Sequence, residues 1–172
     1  MIDLFIPSLA NRRAQRGATL VVTLIFLIVL ALLGVGAAQN NSFQELMSGS
    51  TRDRELAFEA AEAAIADAYA TRASWQTLAL SSFNNTGGLY AYDPYAANTP
   101  DYWNNSAQWG TFRTPSQSIT RAIKQPQYRI ERLPNIGTSQ YYRVTARGFG
   151  ASGTAAAPTT IVILQAEYRY TP

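Results

Sequence analysis

QRGATLVVTLIFLIVLALLGVGAA, residues 15–38, is the stretch around which the rest of the chain is arranged. A polar, basic segment ends at Arg16 and Gly17. Over residues 18–38 there is no charge, and the only hydroxyls are those of Thr19 and Thr23. At ~1.5 Å per residue these 21 residues make a helix of ~31 Å, the thickness of a bilayer core. Three uses fit such a run: a removed signal peptide, a permanent anchor, or an anchor that also polymerises. Arg12, Arg13 and Arg16 lie beside it and hold that side in the cytoplasm. Small-x-small sites at Val35-Gly36-Ala37 and Gly36-Ala37-Ala38 satisfy the signal-peptidase pattern. The run is nevertheless longer than a usual signal core, and the helical character of the residues after Ala38 argues for retention.

Residues 39–69 contain no proline, and alanines at 57, 60, 61, 63, 64, 66, 68 and 70 give high helix propensity and a slim profile. Phe58, Ala61, Ile65, Ala68 and Tyr69 recur at the three-and-four spacing of an apolar stripe. The pattern predicts one helix over residues 18–74, with Gly34, Gly36 and Gly49 as its weak points. Residues 75–126 hold turn formers, among them Asn84-Asn85-Thr86-Gly87-Gly88, Asp93-Pro94 and Asn104-Asn105. They also carry Tyr90, Tyr92, Tyr95, Tyr102, Trp103 and Trp109, which predicts a long loop region fastened by aromatic anchors. From Gln127 onward the period is two. Tyr128, Ile130 and Arg132 share one face, as do Tyr142, Val144 and Ala146, then Val162, Leu164, Ala166, Tyr168 and Tyr170. With a turn at Pro134-Asn135-Ile136-Gly137, this predicts an antiparallel meander of at least three strands. The Phe58/Ile65/Tyr69 stripe is the surface expected to cover it.

Composition narrows the chemistry. The chain has 172 residues, no Cys and no His. That removes disulfides, thiol nucleophiles, thiolate zinc sites and the Ser-His-acid triad, and it disfavours a membrane-anchored enzyme. Glu59 and Glu62 are three apart on the helix, with nothing to mark them as an acid/base pair. No cofactor is expected. Asp93 and Asp101 with Asn84, Asn98 and Asn104 lack EF-hand spacing and read as turn residues rather than a Ca²⁺ site. The net charge of +3 is uneven: +2 over residues 1–17, −3 over 18–74 and +4 over 75–172. Arg113, Arg121, Lys124, Arg129, Arg132, Arg143 and Arg147, interleaved with aromatic rings, could suggest nucleic acid. Core anchors and ordinary strand charges are the preferred reading of these residues.

A basic leader ending in Gly17, followed by Ala18-Thr19-Leu20-Val21-Val22, resembles the class III signal of type IV pilins and pseudopilins. The block LLGVGAAQNNSFQELMSGSTRDRELAFEAAEAAI, residues 32–65, resembles the N-terminal region of PilX-type minor pilins, most specifically over residues 52–64. The resemblance implies cleavage between Gly17 and Ala18 by a prepilin peptidase and N-methylation of Ala18. It implies an inner-membrane protein with a single span, a cytoplasmic leader and a periplasmic C-terminus, later part of the surface pilus. Its implied partners are other minor pilins, the major pilin and a tip adhesin; nucleic acid is disfavoured. One departure stands out: the fifth mature position, Glu in most pilins, is Val22. In the family that carboxylate pairs with the N-terminal ammonium of the neighbouring subunit assembled before it. Val22, Arg52, Asp53, Arg54, Glu55, Glu59 and Glu62 are therefore the expected assembly residues. Residues 52–62 read equally as a solvated helix face, with pairs worth ~0.3 kcal/mol each.

The expected organisation is thus leader 1–17, transmembrane and polymerisation helix 18–38, periplasmic half of the helix 39–74, variable loop region 75–126 and β-meander 127–172. The expected fold class is α+β, a long N-terminal helix packed on a small C-terminal antiparallel sheet. The expected function is a minor pilin promoting pilus initiation and assembly in the tip complex. The alternatives are a tip pseudopilin of a type II secretion system and a pilus-associated DNA- or ligand-binding module. The former is disfavoured because the chain is too short for the large inserted domain expected there.

Overall fold

A computed structural model describes residues 15–96 and 100–172; the first fourteen residues of the expected leader and Asn98 lie outside them. The chain divides into two compact units, Met1–Ser48 and Gly49–Pro172. In the first, helix α1 (Gln15–Ala70) begins, and its stretch Ala18–Ala37 is long and apolar enough to cross a membrane, with all of its side chains exposed. The Thr23 hydroxyl donates back to the carbonyls of Thr19 and Leu20 at 2.8 and 3.0 Å. This polar group therefore needs no outside partner in an apolar surrounding.

The second unit is α+β, as the residue patterns predict. The remainder of α1 packs on a four-stranded sheet of β1 (Leu89–Tyr90), β2 (Gln127–Ile136), β3 (Ser139–Phe149) and β4 (Ile161–Tyr170), in that order. β2–β3 and β3–β4 are antiparallel, whereas β1 runs parallel to β2 and makes the sheet mixed. A two-residue strand gives no periodic signal, which is why only the meander was legible. The register places Tyr128 beside Ala146 and Ile130 beside Val144. It also sets Ala146 beside Leu164 and Tyr142 beside Tyr168, so the three predicted apolar faces form one face. The predicted turn over residues 134–137 forms only at its last residue, and Pro134 lies instead at an irregularity within β2, between Leu133 and Ile136. A proline cannot donate to the ladder and is tolerated at such a bulge. The chain reverses one step later, at Gly137, whose φ of 59° suits a tight hairpin.

The helix covers this face with a stripe that shares Ala61 and Ala68 with the predicted one but is centred on alanine, with Ile65 at its border and Tyr69 stacked on Tyr168 at 5.4 Å. Ala57, Ala60, Ala61, Ala64 and Ala68 are completely buried, while Phe58 and Tyr69 are 47% and 49% exposed and Ile65 is partly buried. The cause lies on β3. Its inward side chains shrink along the strand: Tyr142, Val144, Ala146, Gly148. A Cβ on Gly148 would collide with the Ala57 carbonyl oxygen and the Ala61 amide nitrogen. Helix and strand backbones touch there, and only alanine fits between them. At the wide end of the wedge, Trp75 fills the gap, edge-on to Tyr142 at 5.0 Å, with Phe83 5.8 Å from the same ring. Trp75 Nε1 also donates to Ala68 O at 3.1 Å, and the Thr71 hydroxyl donates to Asp67 O at 2.8 Å. The first satisfies a carbonyl left open where α1 ends at Ala70, short of the predicted Ser74, and the second reinforces the Thr71 amide's bond to the same Asp67 oxygen.

Replacing Gly148 by Ala should therefore destabilise a soluble fragment starting at Gly49 by about 3 kcal/mol, as overpacking against backbone. A urea midpoint that does not move would contradict the close approach.

Candidate functional site

The predicted assembly residues 52–62 do not act as one group. Asp53 turns inward and is buried. Its Oδ1 accepts from the amides of Ala151 and Ser152 at 2.6 and 3.0 Å, and a Cβ on Gly150 would land on the carboxylate. Asp53 thus fastens the β3–β4 connection to α1 instead of reaching out to another chain. The Thr160 hydroxyl, working against burial, and then the amides of Ala151 and Ser152 hold its carboxyl below the ordinary 3.8. Arg52, Arg54, Glu55, Glu59 and Glu62 are exposed. Among the described residues, the ion pairs are those of Arg143 with Glu131 and Glu167, so none joins these five side chains to one another. They flank two open grooves. One, of about 580 Å³, includes Arg52, Glu55, Glu59, Arg121 and Ser152. The other, of about 500 Å³, includes Arg54, Glu55, Phe58, Glu59 and Glu62. The half-exposed Phe58 gives the second an apolar centre with charges around it, the anatomy of a protein contact.

Asp67 carries a role that its place in the sequence did not suggest. It lies on the alanine side of α1, one carboxylate within an otherwise apolar stripe, and that misfit was the available signal. Its Oδ1 accepts from the Ser116 amide and hydroxyl at 3.0 and 2.7 Å, and its Oδ2 from the Tyr128 hydroxyl at 2.9 Å. Burial raises its pKa, but the Ser116 and Tyr128 hydrogen bonds outweigh this and bring it below 3.8. Two carboxylates of one helix thus fasten two separate loops.

The opposite face of the sheet absorbs Arg129, Arg143 and Arg147, while Arg132 lies on the helix-facing side. Arg129, Arg132 and Arg143 are buried. The Arg129 guanidinium lies 3.5 Å from the Tyr90 ring centroid and that of Arg147 lies 4.3 Å from Trp109. Arg132 Nη1 donates to Leu78 O at 3.0 Å on the helix-facing side. Burial lowers the Arg147 pKa to about 10. Glu131 accepts from the Asp93 amide at 2.6 Å and meets Arg143 at 3.4 Å, and its burial still raises its pKa. Trp103 and Trp109 are buried over this face, as anchors should be, whereas Tyr92 and Tyr95 are not. These arginines are engaged by their own fold. Asp93, weighed as a Ca²⁺ ligand and read as a turn residue, accepts from the Tyr95 amide and the Tyr102 hydroxyl.

Ala18 and Val22 both lie on the exposed apolar stretch of α1, Val22 at 64% exposure, and Gly17 is helical. No carboxylate stands anywhere in Ala18–Ala37.

Two family models match adjoining parts of the chain: PilX N-terminal over residues 16–66, and Type IV pilus assembly protein PilX C-term over residues 62–170. Searches of curated proteins and of solved structures return no match.

Depressed carboxyls at Asp53 and Asp67 stabilise the fold above the unfolded value of 3.8, and this contribution is lost as pH falls through their folded values. Glu131, raised by burial, acts in the opposite sense. Asp53→Asn should lower the urea midpoint of the domain at pH 7 and make its decline between pH 4 and pH 2 shallower. An unchanged acid limb would show that Asp53 does not carry it.

Proposed function

The chain belongs to the PilX family and is a minor pilin of the type IV pilus, and we propose that it works at or next to the filament tip, where it promotes assembly. The observation that carries this reading is Val22, at the fifth mature position of an apolar stretch with no carboxylate. A carboxylate in a bundle of apolar helices needs a cationic partner, because an unpaired buried charge costs several kcal/mol. A subunit with Glu at that position is drawn to the N-terminal ammonium of the subunit ahead of it and takes its register from that pair. A subunit with Val there gains nothing from a predecessor. It can still offer its own Ala18 ammonium to the next subunit's Glu, which suits the first position in a growing filament.

In this reading the leader, residues 1–17, stays cytoplasmic while the C-terminal domain faces the periplasm. A prepilin peptidase cuts between Gly17 and Ala18 and N-methylates Ala18, and the freed helix leaves the inner membrane for the filament core. Arg52, Arg54, Glu55, Glu59 and Glu62, exposed and unpaired with one another around Phe58, meet neighbouring minor pilins, the major pilin and a tip adhesin. Asp53 serves the same surface indirectly, by holding the loop at Ala151 and Ser152 that borders it. Motility and adhesion are the activities that such a filament serves.

Mass spectrometry of the mature N-terminus is expected to find N-methyl-alanine at position 18; an N-terminus near Ala38 would mark a secretory cleavage and end the proposal. A second measurement addresses position in the filament. Val22→Glu is expected to impair pilus initiation while leaving the amount of protein unchanged. Normal initiation, with more of the variant along the shaft, would argue against a tip role.

A further inference from the structure

We infer that a cleft beside β1, lined by Tyr90, Tyr92, Asp93, Tyr95, Tyr102 and Arg129, binds a neutral saccharide. The inference is independent of where in the pilus the subunit sits. The cleft encloses about 360 Å³, at the small end of ligand pockets, which span roughly 300–1,000 Å³.

Two of its rings stand largely outside the packed part of the domain. Trp103 and Trp109 already fasten this region to the sheet, 5% and 3% exposed, yet Tyr92 and Tyr95 stand 46% and 78% exposed on either side of Asp93. Large rings left outside around a polar centre mark a contact surface.

The polar centre is built and held. Asp93 Oδ1 accepts from the Tyr95 amide at 2.9 Å, Oδ2 from the Tyr102 hydroxyl at 2.7 Å, and its own amide donates to the buried Glu131 at 2.6 Å. A carboxylate offers about four lone-pair sites, so it keeps capacity for ligand hydroxyls. Arg129, 2% exposed, is part of the same lining. Its Nη1 donates to Gln108 O at 2.7 Å, and its Nε is buried with no partner among the described residues. An arginine retained at that cost supplies a fixed positive field to that lining. Asn85, on the rim, holds a φ of 66°, and its Oδ1 accepts from the Ala91 amide at 3.1 Å.

Charge and geometry together select the ligand. One carboxylate and one guanidinium leave the lining neutral. An ammonium ligand would be repelled by the Arg129 cation, which lies over Tyr90 at 3.5 Å within the same lining. An anion would meet Asp93. A pyranose has apolar C–H faces for the rings of Tyr92 and Tyr95, and hydroxyls at its edge for a carboxylate acceptor and the Gln108 amide.

The test uses the full chain, purified from membranes and held in a sugar-free amphipol, with saturation-transfer NMR. The probes are the methyl glycosides of glucose, galactose, mannose and N-acetylglucosamine, with tetramethylammonium and inorganic phosphate alongside. At least one glycoside should bind, with the strongest transfer at its ring C–H protons. Tyr92→Ala and Tyr95→Ala should each weaken it about three- to tenfold with an unchanged melting temperature, and Tyr92→Phe should retain binding. Binding of none of the glycosides, binding unaffected by both alanine variants, or binding of tetramethylammonium or phosphate alone would overturn the inference.

Discussion

Backbone contact between α1 and β3 at Gly148 sets the geometry of the C-terminal domain. With no side chain between the two backbones, the helix lies against one end of the sheet and rises away from it toward the other. The inward residues of β3 record the wedge as a falling series, Tyr142 to Val144 to Ala146 to Gly148. Trp75, just beyond the helix, closes the open end. Each of these residues fits only because of the others. A larger residue at 148 would lift the helix, and a smaller one at 75 would leave the wide end hollow.

The other face of the sheet is organised by a different force. Arg129, Glu131, Arg143 and Arg147 lie there under a layer of irregular chain, with aromatic rings over two of the guanidinium groups. Burying such groups contributes little net stability, yet removing one partner strands another and typically costs about 3–5 kcal/mol. The arrangement therefore specifies how the loop region lies more than it strengthens the fold. The Asp93 amide reaches Glu131, the Gln108 carbonyl reaches Arg129, and the loop is tied at points that no regular element provides.

Legibility in the sequence followed the range of each interaction. The helix and the three long strands were readable because their periodicities are local and sustained, and the strand register agreed with the alternation residue for residue. The covering stripe was legible in part, through Ala61, Ile65 and Ala68; hydrophobicity also favoured Phe58, while the space available, decided some ninety residues later at Gly148, favoured alanine. β1 is too short to alternate. The inward turn of Asp53 could not be anticipated, since its partners, Ala151 and Ser152, lie at the far end of β3. Val22 could be singled out at once, because the expected processing junction that would give it meaning is only five residues away.

The two sides of α1 answer to different requirements. Inward positions take alanine because of the contact at Gly148, whereas Phe58 and the charged residues beside it contribute little to the domain's own packing. A substitution on the outer side changes the surface the helix presents without disturbing the wedge. The outer side can therefore diverge with a changing partner while the inner side stays as it is, which suits a scaffold whose copies must become distinct from one another and remain the same fold.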